Sequence, residues 1–363
     1  MANDQVLAPK GIEPAIIQPV PLTEPEPSGY APMLQGAGSN KLSQITTRST
    51  PPDVDAITGV AIITDGEYKV FIEKYSELAG GLRISTHKLL DACTIALTAQ
   101  NHYRGDGITT TGVIIPLDEY VRLLGKPSTK ATRDEVRKRV KEDLETLFSI
   151  SIEWTEKGQK KNRDFSKMRI VTSQGIKRGN ILLGFSPEFA KYLTGAYIMQ
   201  YPTALLKIDE RNPNSYHLGR KLLLHRSIDN NIRKGTSNLI SVRALLDVCP
   251  DIPTYEEVMS GDRAVDRRIK TPFENALTAL DFITWEYSNA KGVPLADEQL
   301  HHGTYADFIT LFIKFEVKDF PDQTPRLESR SDESGNKETK KHKFSKKKMA
   351  ASASPVRPRH ARD

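Results

Sequence analysis

The chain has 363 residues, which is long enough for two or three domains with buried cores. It carries 52 basic and 46 acidic side chains, a net charge of +6, and no apolar run approaches the roughly 20 residues that cross a bilayer. Because the first residues also lack the basic patch and apolar stretch of a secretory signal, we expect a cytoplasmic protein with no membrane partner.

Both ends of the chain have the composition of disordered segments. Residues 1–55 are rich in proline, glycine and polar residues, and residues 319–363 form a basic tail without apolar periodicity. Such segments cannot bury enough apolar surface to offset the entropy of ordering the chain. Residues 1–56 carry a net charge of −3 and residues 326–363 a net charge of +7, which leaves +2 for the body. A polyanion-binding surface in the body would therefore have to be local.

Between these ends, one pattern occurs twice at a spacing of 133 residues. Apolar positions recur from the first copy to the second as Val136 and Ile269, Val140 and Phe273, Leu144 and Leu277, and Leu147 and Leu280. Each set has the i, i+4, i+8, i+11 spacing of one helical face. Upstream of each set lie a long helix, a short strand and a short helix, and a strand follows it, "ISIEW" and then "FITWEY". The body is thus predicted to contain two related units laid end to end.

Strand signals follow each second helix. In the first copy, "SISIEW" and "SKMRIV" flank a polar turn with Gly158, and "NILLGF" is a further strand. In the second copy, "FITWEY" and "FITLFIKFEV" flank a loop from Gly292 to Gly303. Upstream of the first copy, "GVAIITDGEYKVFI" predicts a hairpin over Asp65-Gly66.

This order of elements is that of a winged helix, a helix-turn-helix followed by a β-hairpin wing. We therefore predict an α+β fold with two tandem winged-helix domains, at residues 56–202 and 203–318, between disordered ends. In the second copy, Pro272 interrupts the second helix. Thr271 and Glu274 form a capping-box pattern around it, so we expect a kink or two short helices there.

Basic residues concentrate around the second helix of the first copy. Residues 129–178 carry 14 basic and 8 acidic side chains, and the basic ones flank the apolar stripe of that helix. Because the major groove of DNA admits one α-helix, this placement favours DNA contact. The candidate DNA-binding residues are Lys130, Arg133, Arg137, Lys138 and Lys141 on this helix, Lys160, Lys161 and Arg163 on the predicted wing, and Arg263, Arg267, Arg268 and Lys270 in the second copy.

A single basic helix face is most often ordinary solvated surface, but two copies of the helix-turn-helix order favour nucleic-acid binding. Signals for catalysis are weak. No glycine-rich phosphate loop with a following lysine occurs, and His301-His302 lack companion ligands at metal spacing. The two cysteines, Cys93 and Cys249, lie among apolar neighbours and predict buried reduced thiols. We therefore expect neither an enzyme nor a cofactor or metal.

The repeats resemble the replication initiator proteins of theta-replicating plasmids and related mobile elements over residues 56–318. The resemblance rests on "KLLDACTIALTAQ", which opens the first copy, and on "RRIKTPFENALTALDFITWEY", which closes the second. Its most specific part runs from Arg267 to Tyr287, with basic residues, a mid-helix proline, the pair Ala276-Leu277 and a closing strand. The resemblance implies non-enzymatic binding of double-stranded origin repeats and recruitment of the host initiator and helicase. It also implies a possible homodimer, since dimers in this family often repress their own promoter.

Two other functions fit the same residues. One is a transcriptional regulator with two winged-helix domains, and the other is a protein-interaction module whose helices pair with a partner chain. Maintenance of a plasmid that lacks its own initiator would separate the first alternative from replication initiation, and failure to retain duplex DNA would leave the interaction module.

Overall fold

The structure is a computed structural model, and its described residues all lie within one unit, residues 1–327. The described ranges are 29–35, 53–65, 68–73, 75, 82–102, 110–155, 165–194, 197–261, 264–295 and 304–321. Most of residues 1–55, and the predicted tail beyond residue 321, lie outside these ranges.

Up to residue 202, ten strands and four helices follow one another among the described residues. They are β1 (Tyr30–Gln35), β2 (Asp53–Val54), β3 (Ala61–Asp65), β4 (Tyr68–Ile72), α1 (Ile84–His102), β5 (Gly112–Pro116), α2 (Leu117–Leu123), α3 (Lys130–Phe148), β6 (Ile150–Thr155), β7 (Phe165–Arg169), β8 (Val171–Lys177), β9 (Asn180–Phe185), α4 (Pro187–Thr194) and β10 (Tyr197–Pro202).

From residue 203 onwards the chain builds the second copy. Its elements are α5 (Ala204–Lys207), α6 (Pro213–Ser227), α7 (Asp229–Arg233), β11 (Leu239–Ser241), α8 (Val242–Leu246), α9 (Tyr255–Ser260), a π-helical turn (Asp266–Lys270), α10 (Thr271–Thr278), β12 (Ile283–Ser288), α11 (Tyr305–Phe308) and β13 (Phe312–Val317).

Each copy contains an antiparallel three-stranded sheet with the same connectivity. The strand order is β5-β9-β8 in the first copy and β11-β13-β12 in the second. In both, the first strand leads into helices, and the two later strands form a hairpin that closes the sheet against them. This is the winged-helix arrangement, so the predicted α+β fold with two tandem winged helices is confirmed.

The wing of the first copy is not the hairpin that the sequence predicted. Strands β6 and β7 belong to a separate five-stranded sheet of order β2-β3-β4-β6-β7, whereas β8 and β9 form the wing. Apolar pairing explains the difference, because buried Ile150 and Ile152 of β6 lie opposite buried Ile72 and Val70 of β4. The strand "FITWEY" therefore corresponds in topology to β8 and not to "ISIEW". The predicted hairpin of β3 and β4 is present, with Asp65 paired to Tyr68.

The true wing turns tightly at Arg178 and Gly179. Their φ angles are 51° and 77°, and the flanking residues Lys177 and Asn180 are paired across the hairpin. Two successive positive φ angles define the type I′ turn, whose twist matches that of the paired strands. Glycine carries the second of these positions at no steric cost.

Helix α3 follows its predicted pattern closely. Its N-terminus is capped by the Thr129 hydroxyl, which accepts a hydrogen bond from the Thr132 amide. The four predicted stripe positions are all buried: Val136, Val140, Leu144 and Leu147. The stripe packs against α1 and leaves the basic flanks of the helix towards solvent.

The second helix of the second copy accommodates Pro272 in a way that the sequence did not predict. The expected capping box is absent, since Lys270 and Thr271 have helical backbone angles and no side chain caps α10. A π turn runs directly into α10 instead, with the Thr271 amide donating to the Asp266 carbonyl. Proline lacks an N–H and its ring crowds the carbonyl four residues earlier, so a wider turn relieves the conflict.

The prediction of disorder throughout residues 1–55 is wrong for strand β1. This strand pairs with β10 along its whole length, from Tyr30 opposite Pro202 to Gln35 opposite Tyr197. It is buried against α1, so tertiary packing supplies the stabilisation that its composition does not indicate. Residues 53 and 54 also lie in a strand, at the edge of the five-stranded sheet.

Both cysteines are buried and unpaired, as predicted. Burial raises the pKa of each thiol, which keeps it protonated and unreactive. Among the helices that the structure describes, none combines the length and apolar character that would carry it through a bilayer.

Candidate nucleic-acid interface

Helix α3 presents most of the predicted basic residues to solvent. Lys130, Arg137, Lys138 and Lys141 are exposed. Arg133 is half-buried and forms an ion pair of 3.4 Å with Asp118 of α2, which links the two helices of the helix-turn-helix. The structure therefore places the predicted residues of this helix on one accessible surface, although Arg133 is also held by its ion pair with Asp118.

A groove of about 490 Å³ runs between α3 and wing strand β8. Three of the predicted cations line one wall, Arg137, Lys138 and Lys141. The opposite wall is the strand segment 174–176, in which a Cβ added at Gly175 would meet no atom within 4 Å. A glycine within a strand often allows the close approach of another backbone. Asp134 and Glu145 of α3 lie on the same wall, so the three basic and two acidic side chains that line the groove carry a net charge of +1.

The wing adds two cations that the list of candidates omitted. Lys177 and Arg178 are exposed at the tip of the β8–β9 hairpin. The signal in the sequence was the tetrapeptide "KRGN", in which a glycine follows two basic residues between two strand-like segments. Missing the turn meant missing these residues.

The remaining first-copy candidates lie outside the described residues. Lys160, Lys161 and Arg163 fall between β6 and β7, in the segment 156–164. Their role stays a prediction. The hairpin that carries them is part of the five-stranded sheet and is not the wing of the helix-turn-helix.

In the second copy, the π turn carries the candidate residues. Arg267 and Arg268 are exposed, while Arg263 lies outside the described residues. Lys270 is half-buried, with Nζ 2.8 Å from the Asp266 carboxylate and 5.6 Å from the centre of the Phe308 ring. The structure thus separates these candidates into an exposed arginine pair and a lysine that supports the turn.

Buried side chains and one hydrogen bond hold the π turn and α10 against the core of the second copy. Ile269 of the turn and Phe273 of α10 are buried, and the Tyr287 hydroxyl of β12 donates a 3.0 Å hydrogen bond to the Glu274 carboxylate. Burial, together with the negative charge of Glu274, raises the pKa of Tyr287, so the phenol stays protonated and keeps donating. This contact fixes the helix to the wing of the second copy.

The two copies meet through their first helices, α1 and α6. The Arg220 guanidinium binds the Asp91 carboxylate through Nε and NH2, both at 3.0 Å, and the Tyr216 hydroxyl donates to the same carboxylate at 2.6 Å. Beside this pair, the rings of His87 and His217 meet edge to face with centroids 5.2 Å apart. Burial and the nearby Arg220 charge lower the pKa of His87 to about 4, and burial lowers that of His217 well below its usual value. Both imidazoles are therefore neutral at physiological pH.

A second groove, of about 400 Å³, lies along the same joint. Three of its cations are engaged in contacts: Arg139 pairs with Glu210, Arg211 pairs with Asp209, and the Lys88 ammonium donates to the Ile208 carbonyl. Burial lowers the pKa of Lys88 to about 8. Two of these contacts, Arg139 with Glu210 and Lys88 with Ile208, join the first copy to the start of the second. Within the described ranges, no three His, Cys, Asp or Glu side chains cluster closely enough to hold a metal ion.

Comparison with known proteins finds a family model that is similar to the first copy. Residues 68–208 match the family model described as "Initiator Replication protein, WH1". Among solved structures, a selenomethionine crystal structure of domains 2 and 3 of RctB is similar at 9% identity and a TM-score of 0.37, covering 78% of this chain and 97% of that one. A second crystal structure of RctB domains 2–3 is similar at 11% identity and a TM-score of 0.35, covering 76% and 96%. No curated protein sequence matches the chain.

Proposed function

We propose that this chain starts replication of a plasmid or mobile element by binding duplex repeats at its origin, and the match of residues 68–208 to the family model "Initiator Replication protein, WH1" supports this. The observation that carries the proposal is the groove between α3 and β8, with Arg137, Lys138 and Lys141 along one wall. The groove lies where a winged helix meets DNA, between the second helix and the wing.

Within this proposal, the first copy supplies the phosphate contacts. The exposed cations of α3 and the wing-tip residues Lys177 and Arg178 face the polyanion and release its counterions on binding. Such contacts set the position of the protein on the duplex but carry no sequence information.

The second copy supplies sequence reading. Arginine binds the guanine edge in the major groove through two parallel hydrogen bonds, and Arg267 and Arg268 are exposed on a helix braced by buried residues. Bound copies then strain an adjacent AT-rich tract and recruit the host initiator and helicase. No covalent step is required of the chain, and it acts in the cytoplasm.

The proposal is tested by changing the groove alone. The triple variant Arg137→Ala, Lys138→Ala, Lys141→Ala is compared with Lys69→Ala, Lys234→Ala, Lys291→Ala, which removes the same charge from exposed positions outside the groove. Affinity for duplex DNA is measured between about 50 and 200 mM salt. The groove variant is expected to lower the slope of log affinity against log salt by up to about 3, and the control to leave it nearly unchanged. Equal losses for both variants would show that only net charge matters.

The origin itself is tested in cells. We expect the gene to lie beside tandem repeats of about 20 base pairs, since two tandem domains span about two helical turns. The chain should maintain a plasmid that carries those repeats but lacks its own initiator. Binding to the repeats without plasmid maintenance would identify a transcriptional regulator instead.

A further inference from the structure

Strand β1 is separated from the elements that it contacts by long stretches of sequence. Its nearest described neighbour in sequence begins at residue 53, yet it pairs with β10, which ends just before the second copy. Five of its six side chains are buried, and Met33 is completely inaccessible. This six-residue strand is thus buried against parts of the chain that are distant from it in sequence.

The positions of two prolines show which residue pairs of the β1–β10 ribbon exchange backbone hydrogen bonds. Tyr30 lies opposite Pro202, and Pro32 lies opposite Gln200. The two residue pairs that contain a proline are therefore two positions apart along the ladder. Pairs in an antiparallel ladder alternate between bonded and non-bonded types, and proline cannot donate. Both prolines therefore occupy non-bonded pairs. The amides of Ala31 and Met33 consequently bond to β10, and the amide of Leu34 points away from it.

Groups of β1 that do not bond to β10 form hydrogen bonds with both copies. On one side, the Leu34 amide donates a 2.9 Å hydrogen bond to Thr98 Oγ1 of α1 in the first copy. On the other, the Tyr30 hydroxyl donates a 2.5 Å hydrogen bond to the Lys318 carbonyl, just beyond the last strand of the second copy. The Tyr30 ring also meets the Phe320 ring edge to face at 5.6 Å.

Phe320 is held from its other side by the second copy. The Arg226 guanidinium, at the end of α6, lies 4.3 Å from the centre of the Phe320 ring. At the near end of the strand, the Thr203 amide and hydroxyl both donate to the Gly29 carbonyl, at 3.0 and 3.1 Å. Strand β1 thus joins the first copy, the connection between the copies, and the end of the second copy.

A two-stranded ribbon is at best marginally stable by itself in water. The β1–β10 ribbon therefore depends on packing against the rest of the protein, while each winged helix has its own three-stranded sheet. Release of the strand would expose only four apolar side chains of the common core, Tyr30, Ala31, Met33 and Leu34, so it should cost less free energy than unfolding of a copy.

We propose that residues 30–35 form an intramolecular clasp that, together with the α1–α6 joint, holds the two winged-helix copies in one relative orientation, and that the clasp opens as a unit without unfolding either copy. The clasp goes beyond the proposed function, because it concerns the arrangement of the copies whether or not they bind DNA. A clasped chain presents its two basic surfaces at one fixed separation, and an opened chain does not.

Hydrogen exchange on the unaltered chain tests the opening. The amides of Ala31 and Met33 should exchange at least about 100-fold faster than those of Leu222 and Leu223, which are buried in α6. In the variant Leu34→Cys, Ile198→Cys, a disulfide across a non-bonded pair should abolish that difference when oxidised and restore it when reduced. Exchange of Ala31 and Met33 at the rate of the α6 amides in the unaltered chain would overturn the proposal.

The fixed orientation is tested by a distance measurement. Spin labels are placed at Glu145→Cys and Glu256→Cys, which are exposed in different copies, since the native cysteines are buried. Deletion of residues 2–28 retains the clasp and should keep the distance distribution narrow, whereas deletion of residues 2–36 should broaden it. A narrow distribution after the longer deletion would contradict the proposal. If that deletion prevents folding, the same labels with Tyr30→Phe and Phe320→Ala decide, because these changes remove contacts of β1 with the second copy and should add a broad minor population.

Discussion

Asp91 and Arg220 form a bidentate ion pair that joins the first helix of one winged-helix copy to the first helix of the other. Their side chains are only 4% and 9% exposed, and Tyr216 donates a further hydrogen bond to the carboxylate. Burial alone would lower the pKa of Arg220, but attraction to Asp91 outweighs it and raises that pKa. The guanidinium therefore remains charged and needs its partner.

We expect Asp91→Ala to lower the free energy of unfolding by about 3–5 kcal/mol, because it leaves an uncompensated buried charge. Urea unfolding measures the change. The control is Glu73→Ala, which breaks an exposed pair with Arg169 and should cost about 0–1 kcal/mol. The double variant Asp91→Leu, Arg220→Met should recover part of the loss, since no buried charge remains. Similar losses for Asp91→Ala and Glu73→Ala would argue that the pair is not essential to the joint.

The free energy of unfolding should fall as the pH falls below the ordinary pKa of histidine, because His87 stays neutral in the folded protein. Its pKa is about 4 in the folded protein, against an ordinary value of 6.5. Between these values the unfolded chain binds a proton that the folded chain does not, so the free energy of unfolding falls with pH by up to about 3 kcal/mol. Urea unfolding from pH 7 to pH 4 should show this dependence, and His87→Gln should flatten it. An unchanged pH profile in that variant would remove His87 from the explanation.

Asp143 should act in the opposite direction over nearly the same range. Burial raises its pKa to about 6, although hydrogen bonds from Thr86 and Ser85 at 2.7 and 2.9 Å lower it. Between pH 3.8 and about 6 the folded chain retains a proton that the unfolded chain has released, so this group makes stability fall as the pH rises. We therefore expect Asp143→Asn to steepen the rise of stability with pH, where His87→Gln flattens it. Parallel shifts in both variants would contradict this assignment.

Gly219 lies where α6 passes close to its neighbours. A Cβ added there would come within 2.6 Å of Leu205 Cδ2 and 3.2 Å of Leu280 Cδ2, and both leucines are buried. Alanine favours helix by about 1 kcal/mol over glycine, but overpacking costs about 1–3 kcal/mol. We expect Gly219→Ala to destabilise the protein by about 1 kcal/mol in thermal unfolding. Gly175→Ala, at a position with open space, should change stability little, and a stabilising effect at Gly219 would show that α6 can shift.

The sequence predicted what depends on local spacing and missed what depends on distant partners. The stripe from Val136 to Leu147 is buried as predicted because helical periodicity is a local property. The wing was misassigned because β6 pairs with Val70 and Ile72, about 80 residues upstream, and no local signal records that pairing. Strand β1 was missed because its stability comes from α1 and β10, whereas its own proline and glycine neighbours indicate disorder. The exposed basic residues of α3 were among the predicted candidates. Lys177 and Arg178 were omitted because the turn of the wing was not recognised.

The exposed arginines of the π turn and the supporting lysine should differ in their effects on DNA binding. We expect Arg267→Ala with Arg268→Ala to weaken binding to an origin repeat by about 1–3 kcal/mol per base contact and to weaken binding to random duplex much less. Lys270→Ala should mainly lower stability, because its ammonium pairs with Asp266. Removal of residues 322–363 takes away the basic tail and keeps Phe320, and it should weaken binding to both DNAs equally, with a smaller salt slope. Affinities for repeat and random duplex at several salt concentrations separate these effects. If the arginine variant loses as much on random DNA as on the repeat, the second helix holds phosphate and does not read bases.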